Sequence, residues 1–130
     1  MLLHLREGGC VGLLQDQKMN DGIEAQFFGK PAMTASALAA VALRLQCPVL
    51  PTCAQRIGPA RFLVTFDAPL PLPNTGTRAR DVALLTQVVN DRLESWIRAK
   101  PESWLWIHRR WPKHLYTERD KAKRSLKSVA

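Results

Sequence analysis

The sequence predicts an α/β fold in which a sheet is flanked by helices, and three observations carry that expectation. A short, continuously apolar run, Val11-Gly12-Leu13-Leu14, leads directly into Gln15, Asp16 and Gln17, the pattern of a strand covered on both faces that ends in a polar loop. Two segments, residues 23–28 and 62–66, alternate at the period of a half-buried strand. Two longer stretches, residues 34–46 and residues 78–100, repeat apolar side chains at helical spacing. At 130 residues and 46% hydrophobic content the chain suffices for one domain with its own core.

Taken in order, Met1 to Glu7 reads as the last turns of a helix stopped by Gly8-Gly9, which suggests that further sequence belongs upstream. After the apolar run, Lys18 to Gly22 is expected to form a polar turn, with Asn20, Asp21 and Gly22 supplying the turn chemistry. The next strand carries Ile23, Ala25 and Phe27 on one side and ends at Gly29-Lys30-Pro31. Thr34 is a suitable N-cap for a helix whose Ala35, Leu38, Ala39, Ala42, Leu43 and Leu45 share a face, and Pro48 forbids its continuation. Val49-Leu50, between two prolines, is a brief strand candidate, and residues 52–60 read as a loop or strand end. Phe62, Val64 and Phe66 mark another strand, followed by a proline-rich connection over residues 68–77. The long helix from Arg78 has a stripe of Val82, Leu85, Val88, Val89, Leu93, Trp96 and Ile97, and Pro101 stops it. Residues 112–130 form a lysine-rich tail expected to be a frayed helix or disordered.

The formal charge of +8 is concentrated at one end. From Arg98 onward there are ten Lys or Arg against three acids, so +7 of the excess lies in the last quarter. Such a tail suits an anionic lipid surface, an acidic protein or nucleic acid. Nucleic acid is not expected, because the aromatics are not arranged as a stacking platform. Cys10, Cys47 and Cys53 are odd in number and show no CxxC spacing, which argues against a zinc site or a disulfide framework and suits a reducing compartment. They read as small buried hydrophobes rather than nucleophiles. No apolar run reaches the ~18 residues that cross a bilayer, and the N-terminus lacks a signal peptide's layout.

Asp16 and Gln17 stand where α/β sheets bind ligands, at the carboxyl end of a strand; alternatively Asp16 caps a turn and Gln17 is solvated. The segment PESWLWIHRRW, residues 101–111, holds three of the four tryptophans beside His108, Arg109 and Arg110. Arginine forks between aromatics can grip phosphate, or the rings fill the domain edge while the arginines pair locally. No Gly-x-Ser-x-Gly elbow, phosphate loop or histidine ligand spacing is present, so neither nucleophilic catalysis, a metal nor a cofactor is indicated.

The ordered series DQ at 16–17, FFGKPAMT at 27–34, the alanine-rich helix, CPVLP at 47–51 with Arg56, and PESWLWIHRRW at 101–111 resembles the C-terminal half of the bacterial lipid A biosynthesis acyltransferases. These lauroyl and myristoyl transferases belong to the lysophospholipid acyltransferase superfamily. The resemblance implies the glycerolphosphate-acyltransferase-like fold, a mixed sheet flanked by helices, here incomplete, with residues 1–111 as its C-terminal portion and 112–130 as a basic tail. It implies an enzyme at the cytoplasmic face of the bacterial inner membrane, moving a fatty acyl chain from acyl carrier protein to a hydroxyl of a lipid A precursor, with no cofactor.

The family's chemistry rests on a histidine followed five positions on by Asp or Glu, which fixes the imidazole as a general base. Here the position five after His4 is Gly9, after His108 it is Lys113, and after His114 it is Arg119. The chain therefore reads as a fragment, inactive alone and without a catalytic residue of its own. By resemblance Asp16, Gln17, Phe27 and Phe28 form part of an active-site wall, and Arg56, His108, Arg109 and Arg110 are candidates for structural or anionic-substrate contacts. The alternative function is a basic module that binds an anionic lipid surface or nucleic acid through residues 98–127.

Overall fold

Phe28 and Gly29 both hold positive φ, 54° and 68°, and two consecutive residues of that kind make the tight turn whose twist matches a β-hairpin. In the computed structural model, which describes residues 1–105 and 109–117, this turn joins β1 (Lys18–Phe27) to β2 (Lys30–Thr34) as an antiparallel pair. A second antiparallel hairpin joins β3 (Thr52–Gly58) to β4 (Arg61–Phe66). The helices are α1 (Leu2–Arg6), α2 (Ala37–Leu45) and α3 (Arg78–Ala99), with a 3-10 turn at Pro101–Ser103 and a further helical stretch over residues 113–117. The architecture is thus mixed α/β, built from two small two-stranded sheets and helices.

Several sequence expectations hold. Residues 23–27 and 62–66 are strands, 68–77 is irregular, α3 begins at Arg78, and the first residues form a helix that stops before Gly8. Others are corrected. Val11 to Leu14 forms no strand; Val11, Leu13 and Leu14 are exposed, because no described strand lies alongside to accept their backbone groups. Residues 18–22 belong to β1 instead of a turn, with a bulge between Lys18 and Ile23. Gly22 permits it: a Cβ there would sit 2.1 Å from the Thr34 carbonyl oxygen. Thr34 is the last residue of β2, fully buried, and the helix starts after Ser36. Val49-Leu50 is irregular and the strand lies at 52–58. Pro48 and Pro51 interrupt the amide donors there, while the Val49 and Pro51 carbonyls accept bonds from the Leu70 and Asp67 amides.

Two apolar clusters hold these pieces together. Ala39, Ala42 and Leu43 of α2 pack on Leu85 of α3, with Val49, Leu70 and Leu72 around them. The small side chains let the helix axes approach closely, and Arg78 ties the pair by donating to the Ala40 carbonyl at 2.6 Å. The second cluster sets Phe27 and Ala32 of the first hairpin against Ile97 of α3, rimmed by Phe28, Leu93, Trp104 and Trp111.

Candidate functional site

Phe27 has no exposed surface and is the hub of the site. Strand alternation places Ala25 and Phe27 of β1, and Ala32 and Thr34 of β2, on the buried side of the hairpin. Phe28 meets the Phe27 ring edge-on at a centroid separation of 4.9 Å, Trp104 meets it edge-on at 5.8 Å, and Trp111 lies tilted at 5.6 Å. The Trp111 indole donates to the Phe27 carbonyl at 2.9 Å. Aromatic pairs in these arrangements gain on the order of 1 kcal/mol each beyond area burial. Trp104, Arg110 and Trp111 therefore lie against Phe27, although they are more than seventy residues away in the sequence.

Polar groups lock the same junction. Asn90 of α3, wholly buried, donates to the Gln26 carbonyl at 3.0 Å and to Thr34 Oγ1 at 3.2 Å. Gln87, one turn earlier, accepts from the Gln26 amide at 2.8 Å and donates back to its carbonyl at 3.1 Å, so α3 treats the hairpin edge as a ladder partner. Arg110, 1% exposed, donates from Nη1 to the Met33 carbonyl and from Nη2 to Thr34 Oγ1, each at 2.7 Å, with a longer approach to Asn90 Oδ1 at 3.4 Å. Its guanidinium lies over the Phe27 ring at 4.9 Å. Burial lowers the Arg110 pKa from the usual guanidinium value, and the nearby Asp16 and Tyr116 partly oppose that effect.

Asp16 is half-buried and accepts a bond from the Trp104 indole at 3.2 Å. It stands in the wall of a cavity of about 1030 Å³ between the 8–16 segment, α2, residues 47–55 and the C-terminal half of α3. The lining is mainly apolar, with Leu13, Leu38, Val49, Leu93 and Trp96 among it, and its charged side chains among the described residues are Asp16, Arg92 and Lys100. Arg92 is ion-paired with Asp67. All three cysteines line this cavity as free thiols. Cys10 is exposed, which corrects the expectation of burial there, whereas Cys47 and Cys53 are partly buried and Cys47 packs against the α2–α3 cluster. Among the described residues no cluster of His, Cys, Asp or Glu is placed to hold a metal ion.

The sequence-selected residues that are described separate into three groups. Asp16, Phe27, Phe28 and Arg110 converge on the hub. Gln17 and Arg109 are exposed on the segments that flank it. Arg56 sits on the second hairpin, stacked over Phe62 at 5.4 Å, and does not line the cavity. His108 lies outside the described residues. Thr34 and Asn90 were not selected. Asn90 had a signal, since it falls on the inward stripe with Thr86, Leu93 and Ile97, where a lone amide must find buried partners.

The sequence model of the family described as "Bacterial lipid A biosynthesis acyltransferase" matches residues 1–113 of the 130. No individual curated protein matches the chain.

Proposed function

The chain belongs to the bacterial lipid A biosynthesis acyltransferase family, and from that membership we propose that it forms part of an enzyme transferring a fatty acyl chain from acyl carrier protein to a hydroxyl of a lipid A precursor. The observation that carries the reading is the large, mostly apolar cavity with one carboxylate, Asp16, held at its wall by Trp104. An acyl chain needs an apolar trough of this kind, and a polar acceptor needs an oriented hydrogen-bond acceptor beside it. In this reading Asp16 and Gln17 face the acceptor, Phe27 and Phe28 back the wall, and Arg110 clamps the wall in place. Arg109, with His108 immediately before it and Arg56 on the second hairpin, attracts the anionic headgroup.

No histidine in the sequence is followed at the required spacing by an acid, so the chain supplies the wall of the site and not its general base. The first hairpin and the base of the second are, on this reading, parts of the family's larger mixed sheet. On this reading the work takes place at the cytoplasmic face of the inner membrane, where the charge of the basic tail, residues 112–130, favours contact with an anionic surface; no helix among the described residues is long and apolar enough to cross a bilayer. The charge of residues 98–127 also favours a second reading, a module that only binds anionic lipid.

Acyl carrier protein bearing a labelled acyl chain, incubated with the purified chain and a lipid A precursor, separates these readings. The first expects the chain to retain the acyl ligand in equilibrium dialysis without forming acylated product. Product above background refutes the missing base. Absence of any acyl retention, with vesicle binding intact, favours the lipid-binding module.

A further inference from the structure

Toward its tip the β3–β4 hairpin is exposed on both faces, whereas nearer its base Cys53 and Gln55 are partly buried and line the cavity. Ile57, Phe62, Leu63 and Val64, at and near its tip, leave about half or more of their surface in solvent, 54%, 59%, 50% and 49%. The whole hairpin, residues 52–66, contains Arg56 and Arg61 and no acid. The Arg56 guanidinium lies over the Phe62 ring at 5.4 Å, so that cation and aromatic ring share one face of the hairpin. The strands meet at Gly58 and Arg61 across Pro59-Ala60, and Pro59 removes one amide donor from the turn.

We propose that the tip of this hairpin, residues 56–64, inserts into the interface of an anionic bilayer. This rests on the reading that the chain works at a lipid surface, and it adds a site distinct from the basic residues 98–127. Exposure on both faces is the first reason. A protein partner stacked on a sheet covers one face, whereas a tip entering a bilayer endwise is surrounded on both. Charge is the second: two arginines flank the apolar tip, placed to meet lipid phosphates while Ile57, Phe62 and Leu63 reach the acyl boundary. A second copy of the chain is disfavoured as occupant, because it brings another +8 to the contact. The turn also suits lipid, which penalises each unsatisfied backbone donor.

Co-sedimentation of the full chain with phosphatidylcholine vesicles, with and without phosphatidylglycerol, across a salt series tests this. The wild-type chain should bind the anionic vesicles, and part of that binding should persist when salt has screened the tail. Phe62→Ser combined with Leu63→Ser should lower partitioning about tenfold and remove the salt-resistant part, with an unchanged circular dichroism spectrum. Leu63→Trp should strengthen binding, a gain that misfolding does not produce. Wild-type affinity in the double serine variant, with no gain in the tryptophan variant, overturns the hairpin's role and leaves the tail reading standing. Failure of the wild-type chain to bind any vesicle overturns both. A change from dimer to monomer in the serine variant, with vesicle binding unaltered, identifies the hairpin as a self-association surface and also overturns the proposal.

Discussion

Replacing Arg110 with Ala should destabilise the chain by about 3 kcal/mol. The guanidinium makes two bonds at 2.7 Å, to the Met33 carbonyl and Thr34 Oγ1, in a site with 1% exposure. Bonds from a charged donor contribute roughly 1.5–3 kcal/mol each. The face-on approach to Phe27 at 4.9 Å adds about 1 kcal/mol. Against these stands the cost of burying the cation, which burial's downward pull on its pKa reflects, and which its removal relieves by ~1–2 kcal/mol. Thr34 Oγ1 also keeps its bonds to Asn90 and the Ala32 carbonyl, which puts the expected loss at the lower end of the sum. Arg110→Lys retains a charge but cannot reach both acceptors in the fork geometry, so about half the loss should return. Urea unfolding followed by tryptophan fluorescence, with Trp104 and Trp111 as neighbouring reporters, measures both variants. A domain of this size has roughly 5–15 kcal/mol in total, so the shift is large. An alanine variant within about 0.5 kcal/mol of wild type refutes the clamp, since that is the range of unconnected surface substitutions.

Gly22→Ala should cost about 2 kcal/mol or more, because the new methyl meets the Thr34 carbonyl carbon and oxygen at 2.6 and 2.1 Å; a wild-type midpoint in urea denies that the bulge requires glycine. Trp104→Phe keeps an aromatic ring beside Phe27 but removes the donor to Asp16. Its stability should fall by only ~1 kcal/mol, while acyl retention should weaken more than that loss of folded protein explains.

The parts of the fold legible in the sequence were those fixed by local pattern. The stripe of α3 and the alternation of Phe62, Val64 and Phe66 needed no distant partner to be recognised. Val11 to Leu14 failed for the opposite reason: continuous apolarity describes a strand only when neighbours bond to it, and none of the described strands does. β2 was missed because Lys30-Pro31 read as a stop, although a two-residue turn at Phe28-Gly29 returns the chain at once and leaves Pro31 within an edge strand, where its missing donor is tolerated. Thr34 illustrates a competition between roles. Its hydroxyl suits an N-cap, but here it donates to the Ala32 carbonyl and accepts from Asn90 and Arg110. Within the site, the unusual composition of residues 101–111 marked the segment whose Trp104, Arg110 and Trp111 pack on Phe27. Its juxtaposition with Phe27 and Asp16 depends on contacts across most of the chain, which no local pattern encodes.

Protection of the three cavity thiols tests the acyl-binding claim most directly. Cys10, Cys47 and Cys53 line the trough as free cysteines, so their alkylation rates report its occupancy without requiring turnover. Saturation with a long-chain acyl carrier protein should slow modification of Cys47 and Cys53 about tenfold or more, while carrier protein without an acyl chain should not. Unchanged rates at all three thiols under saturating acyl ligand contradict the assignment of this cavity to the acyl chain.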